Sequence, residues 1–235
     1  MHHTTIDRWS RGRSAIHRLD ARAKILSLLI VLIAVGTAPT AGIWRTGAGF
    51  GALAVASAGL ARLPVLGVFT RSLAVLPFSL TFAVIVYLTG DAVRAFALLI
   101  KSYISASFVL LLVGTTPLPH LMRGFERLGF PAMLVLVIQY LYRYLFVIST
   151  EAQRMRTAAI SRGLQRAGFQ VAAGAVATLF ARSYHRAEGI HRAMVARGFE
   201  RHIPILAAER LTPADGLLVL LTLSIAVIIR IGAVR

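Results

Sequence analysis

Apolar residues take two textures along this chain. Up to Gly114 they form near-continuous runs, and from Thr115 to Leu211 they thin into stripes among arginines. A last run, Leu217–Ile229, follows the helix-opening signal Thr212-Pro213-Ala-Asp215. Continuous runs of this kind suit hydrocarbon, whereas stripes at i, i+3, i+4 suit helices lying on a packed surface. Four runs precede Thr115: Ile25–Val35, Gly47–Ala61, a third that begins near Arg71 or Ser72 and ends at Leu88, and Ala92–Gly114. The second is rich in Gly and Ala, as expected where helices approach closely. The pattern predicts an all-α, polytopic membrane protein with about five transmembrane helices plus long helices on the cytoplasmic side. Its parts are a basic N-terminus (1–24), a four-span membrane region (25–114), a helical region between membrane segments (115–211) and a final transmembrane helix (212–235). The first segment reads as a retained span rather than a cleaved signal peptide, because its leader is long and further spans follow.

Within 115–211 the stripes predict three helices. Pro117–Gly129 carries Leu118, Leu121, Met122, Phe125 and Leu128 at helical spacing, with Gly129 as the stop and Pro131 opening the next element. Residues Pro131 to Arg162 hold no further Gly or Pro, and as one helix they span roughly 48 Å at 1.5 Å per residue. A third helix, about Gly174–Arg197, places Val176, Phe180, Ala187, Ile190 and Met194 on one face and turns Arg182, Arg186 and Arg192 away. Met133–Ile148 is apolar enough to cross a bilayer. A crossing there would put the basic sequence after it outside the cell, against the excess of Lys and Arg that cytoplasmic segments carry. We therefore expect it along the cytoplasmic interface; a sixth span, here or by a split at Pro77, is the alternative.

Composition sharpens this picture. Hydrophobic residues make up 57% of the chain and the mean hydropathy is +0.73, yet the formal charge is +17. A nucleic-acid binder carries such a charge, but not beside several membrane spans. The basic residues are also segregated. Arg8, Arg11, Arg13, Arg18, Arg22 and Lys24 precede the first run, and 13 arginines lie from Arg123 to Arg210. Both groups therefore belong in the cytoplasm, the chain in the cell membrane, and an acidic partner surface against the second group. Arg94 and Lys101 fall inside an apolar run, either at a functional position or snorkelling and facing a protein neighbour.

Chemistry of its own is hard to find in this chain. There is no cysteine. The two lysines follow Ala23 and Ile100, so neither sits in a Gly-Lys-[Ser/Thr] phosphate loop. The histidines (His2, His3, His17, His120, His185, His191, His202) show no His-Glu-x-x-His spacing, and no two carboxylates share an expected span. No metal site, bound cofactor or catalytic residue is expected.

What remains is a pair of short motifs, Ser161-Arg162-Gly163 and Ala196-Arg197-Gly198, each closing a long helix. A glycine just past a helix end can turn the chain in the left-handed region. An arginine in the last turn complements the helix dipole and can fork onto a carboxylate. One such motif is an ordinary cap; two, 35 residues apart, point to a paired docking device.

These motifs, with Ile16-His-Arg-Leu-Asp-Ala-Arg-Ala-Lys-Ile-Leu26, Leu128-Gly-Phe-Pro131, Tyr142-Arg-Tyr-Leu-Phe146, Leu179-Phe-Ala-Arg-Ser-Tyr184 and Ala193–Phe199, resemble the transmembrane T component of energy-coupling factor transporters, in its CbiQ branch. The family hallmark is a pair of Ala-Arg-Gly/Ser motifs at the ends of two coupling helices. Ser161 stands where the family has alanine, and Ala21 where it often has proline. The resemblance implies a non-catalytic subunit that joins two ATP-binding-cassette ATPases, which hold ATP and Mg²⁺, to a membrane-embedded substrate-capture subunit for cobalt or nickel. Ser161, Arg162, Gly163, Ala196, Arg197 and Gly198 would dock the ATPases. A T component for a vitamin, a stand-alone carrier and a lipid-binding scaffold remain alternatives.

Overall fold

A computed structural model describes residues 9–10, 12, 14, 16–40, 42–163, 169–199 and 211–234. Arg8, Arg11, Arg13, Arg166, Arg201 and Arg210, and the histidines His2, His3 and His202, lie outside them. The helices are α1 (Ala21–Gly36), α2 (Ile43–Leu60), α3 (Val65–Ser72), α4 (Leu76–Leu88), α5 (Ala92–Thr115), α6 (Leu118–Arg127), α7 (Ala132–Ser161), α8 (Phe169–Ala196) and α9 (Pro213–Val234). Short 3₁₀ turns occupy Ile16–Arg18 and Leu73–Val75. The chain forms two compact units, Met1–Leu128 with Ala208–Arg235, and Gly129–Ala207.

The first unit is built around α1, which packs on α5, α6 and α9. Its core joins Val31 and Val35 of α1, Phe50, Ala54 and Ala58 of α2, Val68 of α3, Ile104, Phe108 and Leu111 of α5, and Ala226 of α9. The Gly- and Ala-rich composition of α2 permits this closeness. A Cβ on Gly49 would sit 3.0 Å from Ile229, so α2 and α9 meet where α2 has no side chain.

Polar contacts fix the helix directions. At the start of α1, Asp20 caps the helix by accepting from the Arg22 N–H, and its own N–H donates to Asp215 of α9 at 2.8 Å. One turn on, the Lys24 ammonium donates to the Thr115 carbonyl at 3.3 Å and to Thr116 Oγ1 at 3.1 Å, at the end of α5. At the other end of α1, Lys101 donates to the Gly36 and Ala38 carbonyls at 3.1 and 2.7 Å. Arg230 of α9 reaches Thr37 there. Helix α9 thus runs parallel to α1 and α5 antiparallel to it. The starts of α1, α6 and α9 share one face.

Four segments are long and apolar enough to cross a membrane: α3–α4 taken as one (Val65–Leu88), α5, α7 and Pro213–Gly232 of α9. Three of these are runs read from the sequence as spans. Helices α1 and α2 are not among the four. The 16 residues of α1 reach about 24 Å at 1.5 Å per residue, and the apolar content of α2 is diluted by Arg45 and by its glycines. Helix α7 joins the set on the strength of Met133–Ile148. The third run also starts earlier than the sequence suggested. Helix α3 opens at Val65 after Pro64 and closes at Ser72, where a 3₁₀ turn leads into α4, and the Arg71 guanidinium lies 4.2 Å over the Trp9 ring. Arg94 pairs with Asp91 at the exposed start of α5, and Lys101 donates to carbonyls at the end of the chain's own α1.

Candidate functional site: two arginine-bearing helix ends

Helices α7 and α8 form the second unit. Tyr140 OH lies 3.3 Å from Met194 Sδ. Farther along α7, Glu151 pairs with Arg182, which lies toward the start of α8. A step forward on one helix is therefore a step back on the other, and the pair is antiparallel. Half-buried positions along the pair include Leu136, Tyr140, Tyr144, Glu151, Met155 and Ala159 on α7, with Gln139, Tyr142 and Ala152 beside them, and Ala175, Leu179, Ser183, Ile190 and Met194 on α8. The stripe expected on α8 is corrected in part. Ile190 and Met194 lie on the seam, but Val176 and Phe180 are 66% and 73% exposed.

Both expected motifs sit at helix ends of one design. Helix α7 ends at Ser161. The Arg162 N–H is shared between the Ala158 and Ala159 carbonyls, and the Gly163 N–H donates to Ile160 at 3.0 Å. Helix α8 ends at Ala196. The Gly198 N–H donates to Val195 at 3.0 Å and the Phe199 N–H to Met194 at 3.1 Å, the paired bonds of a Schellman cap. Gly163 and Gly198 have φ of +81° and +71°, the left-handed region that glycine occupies without cost. Ser161 serves as well as alanine, because its hydroxyl donates back to the Thr157 carbonyl at 3.1 Å. Ser161, Arg162, Gly163, Ala196, Arg197 and Gly198 are all exposed. Each arginine lies beyond the negative pole of its own helix, which favours its charge there.

The structure does not bring the two motifs together. Arg162 lies beyond Glu151 in one direction along the seam, and Arg197 beyond Tyr140 in the other. At 1.5 Å per residue the two ends are roughly 35–40 Å apart along the pair. That separation is too great for one small ligand to be held between the two arginines. Among the described residues, no group of three or more His, Asp or Glu side chains is placed to hold a metal ion.

Two polar features escaped the sequence reading: the Glu151–Arg182 pair on the seam, and the Asp20, Lys24 and Asp215 contacts in the first unit. Asp215 is 2% exposed, Lys24 6% and Asp20 8%. Local signals existed for each. Asp20 and Asp215 stand at helix starts, and Lys24 lies within the quoted N-terminal motif. Nothing local showed that residues 195 positions apart would meet.

An all-α, polytopic membrane protein carrying two exposed Arg-Gly helix ends is the class that these features define. The chain matches the CbiQ family, described as "Cobalt transport protein", over residues 12–205, which include both motifs. It belongs to that family and is a membrane transport component. It is 26% identical over 224 residues to the energy-coupling factor transporter transmembrane protein EcfT of Acidaminococcus fermentans, an alignment covering 82% of each chain. With the cobalt transport protein CbiQ of Rhodobacter capsulatus it shares 29% identity over 141 residues, 57% of each chain.

Proposed function

We propose that this chain is the transmembrane coupling subunit of an energy-coupling factor importer. Two cytoplasmic cassette ATPases seat on the ends of α7 and α8, one on each, and their closure on ATP is passed to a membrane-embedded capture subunit. The observation that carries this reading is the duplication of one exposed Arg-Gly cap at opposite ends of an antiparallel pair. ATP and Mg²⁺ belong to the partners, and this chain hydrolyses nothing. The family match favours cobalt or nickel as substrate. The longer alignment is with EcfT, whose name carries no substrate, and a vitamin-carrying system is the second reading. In this reading the N-terminus, α6 and both motifs face the cytoplasm, α7 lies along the interface, and the C-terminus is outside.

Co-expressed with cassette ATPases of its own operon or genome, the chain is expected to purify with two ATPase subunits. Alone in lipid it is expected to show no ATP turnover. Turnover that survives removal of contaminants, or transport without any ATPase, would favour a stand-alone carrier.

Topology supplies a second expected result, since the cysteine-free chain accepts single probes cleanly. Thr4→Cys, Ser161→Cys, Ala196→Cys and Ala233→Cys are labelled in intact cells with an impermeant maleimide. Only position 233 is expected to react before lysis. Labelling at 161 would mean that α7 crosses the bilayer, and its arginine end could not then meet a cytoplasmic partner.

A further inference from the structure

The segment that carries α7 and α8 leaves and rejoins the first unit beside one polar node. The chain leaves the membrane region through Thr115 and Thr116 and comes back to it through Thr212 and Asp215. Lys24 holds the departing strand by the Thr115 carbonyl and Thr116 Oγ1. Asp215 holds the returning one: its Oδ2 accepts from the Thr212 N–H and hydroxyl, each at 2.7 Å, and its Oδ1 accepts from the Asp20 N–H. Asp20 and Lys24 are consecutive turns of the same helix, joined by the Lys24 N–H to Asp20 carbonyl bond at 3.3 Å. Both ends of the 95-residue excursion from Pro117 to Leu211 are thus tied to the first turn of α1.

Simple helix capping would not require this placement. Asp20 already caps α1 through the Arg22 N–H, and Asp215 already accepts from Thr212 at the start of α9. The additional bonds run between elements, and they are shut away from water, where an ionic hydrogen bond is strong and its loss leaves a buried charge unsatisfied. A cleft of about 460 Å³ opens beside the node, lined by His17, Lys24, Thr116, His120, Thr212 and Asp215 among others. Helices α5, α6 and α9 also pack on α1, so the ties fix the positions of Thr115, Thr116 and Thr212 at the edge of a packed seam.

We propose that Asp20, Lys24 and Asp215 are positioning residues that anchor the coupling segment at both ends, so that movement of α7 and α8 is delivered to the membrane helices instead of being lost as slack. This rests on the coupling function proposed above. The residues touch neither ATPase nor substrate; they act by holding Thr115–Thr116 and Thr212.

The test uses the assembled transporter reconstituted in liposomes, with transport and ATP hydrolysis measured together. Lys24→Met and Asp215→Asn are expected to retain both ATPases and ATP hydrolysis while transport per ATP falls about tenfold, the scale of a lost hydrogen bond to a charged group. Lys24→Arg is expected to restore most of the ratio. Thr116→Val, which removes a single acceptor, is expected to lower it about threefold and serves where Lys24→Met fails to assemble. An unchanged ratio in Lys24→Met or in Thr116→Val overturns the anchor. So does a proportional loss of assembly, hydrolysis and transport in every variant, which would make the node general support for the fold. If the unmodified chain binds no cassette ATPase, it is the coupling function itself that fails.

Discussion

A chain carrying both Arg162→Glu and Arg197→Glu is expected to lose its ATPases while its membrane unit still folds. Truncating one member of a desolvated charge pair costs about 2–5 kcal/mol, which is roughly 30-fold to several-thousand-fold in affinity at each end. Glutamate adds repulsion from the partner's carboxylates. Neither arginine forms part of a helix core, since both are exposed beyond the last helical residue, so the fold should survive the exchange. Because the two ends are far apart, each single variant is expected to release one ATPase contact and leave the other. Ser161→Ala is expected to change little, because the hydroxyl is spent on its own helix. Affinity purification followed by quantification of the ATPases reads all four variants. Normal recovery of both ATPases with the double variant would reduce the motifs to ordinary caps.

The second large effect is expected in the first unit, from Phe50→Ala. Phe50 is fully buried in the core cluster that joins α1, α2, α5 and α9. In water-soluble proteins such a truncation costs about 3–5 kcal/mol, part of it transfer and part cavity. Lipid tails are as apolar as the side chain, so within a bilayer the transfer part shrinks and a loss of about 2–3 kcal/mol is expected. Phe78→Ala is the control. With 71% of Phe78 exposed, its removal leaves no cavity and should cost little. Thermal unfolding in detergent or bicelles compares them, and equal midpoints would show that α2 is not packed as described.

Helix positions were legible from punctuation. Gly129, Pro131 and the two Arg-Gly ends each mark a boundary found within a residue or two, because such residues act on their own backbone. What crosses between helices was not. On α8 the sequence offers a large-residue stripe through Val176 and Phe180 and a small-residue one through Ala175 and Ser183. The seam runs through Ala175, Leu179 and Ser183 and leaves Val176 and Phe180 outside, a choice between two faces that the hydrophobic pattern of one helix cannot make. The two Arg-Gly helix ends were legible because their chemistry is local, an arginine and a glycine closing a helix. The node of Asp20, Lys24 and Asp215 was not, because it exists only once α1, α5 and α9 are assembled.

Lys101 and Arg230 bear on the order in which this protein is made. In the proposed orientation both are carried to the far side of the bilayer, where they meet the exposed carbonyls at the end of α1. That helix is synthesised first; Thr37 and Ala38 bond its Ile33 and Val35 carbonyls, and α5 then adds Lys101 on Gly36 and Ala38 and, much later, α9 adds Arg230 on Ala34. Each late cation finds a partial negative charge already in place, which lowers the cost of translocating it. A nascent chain halted before α5 would lack these cationic contacts at the outer end of α1, and that end would stay held by its local cap alone until α5 and α9 arrive.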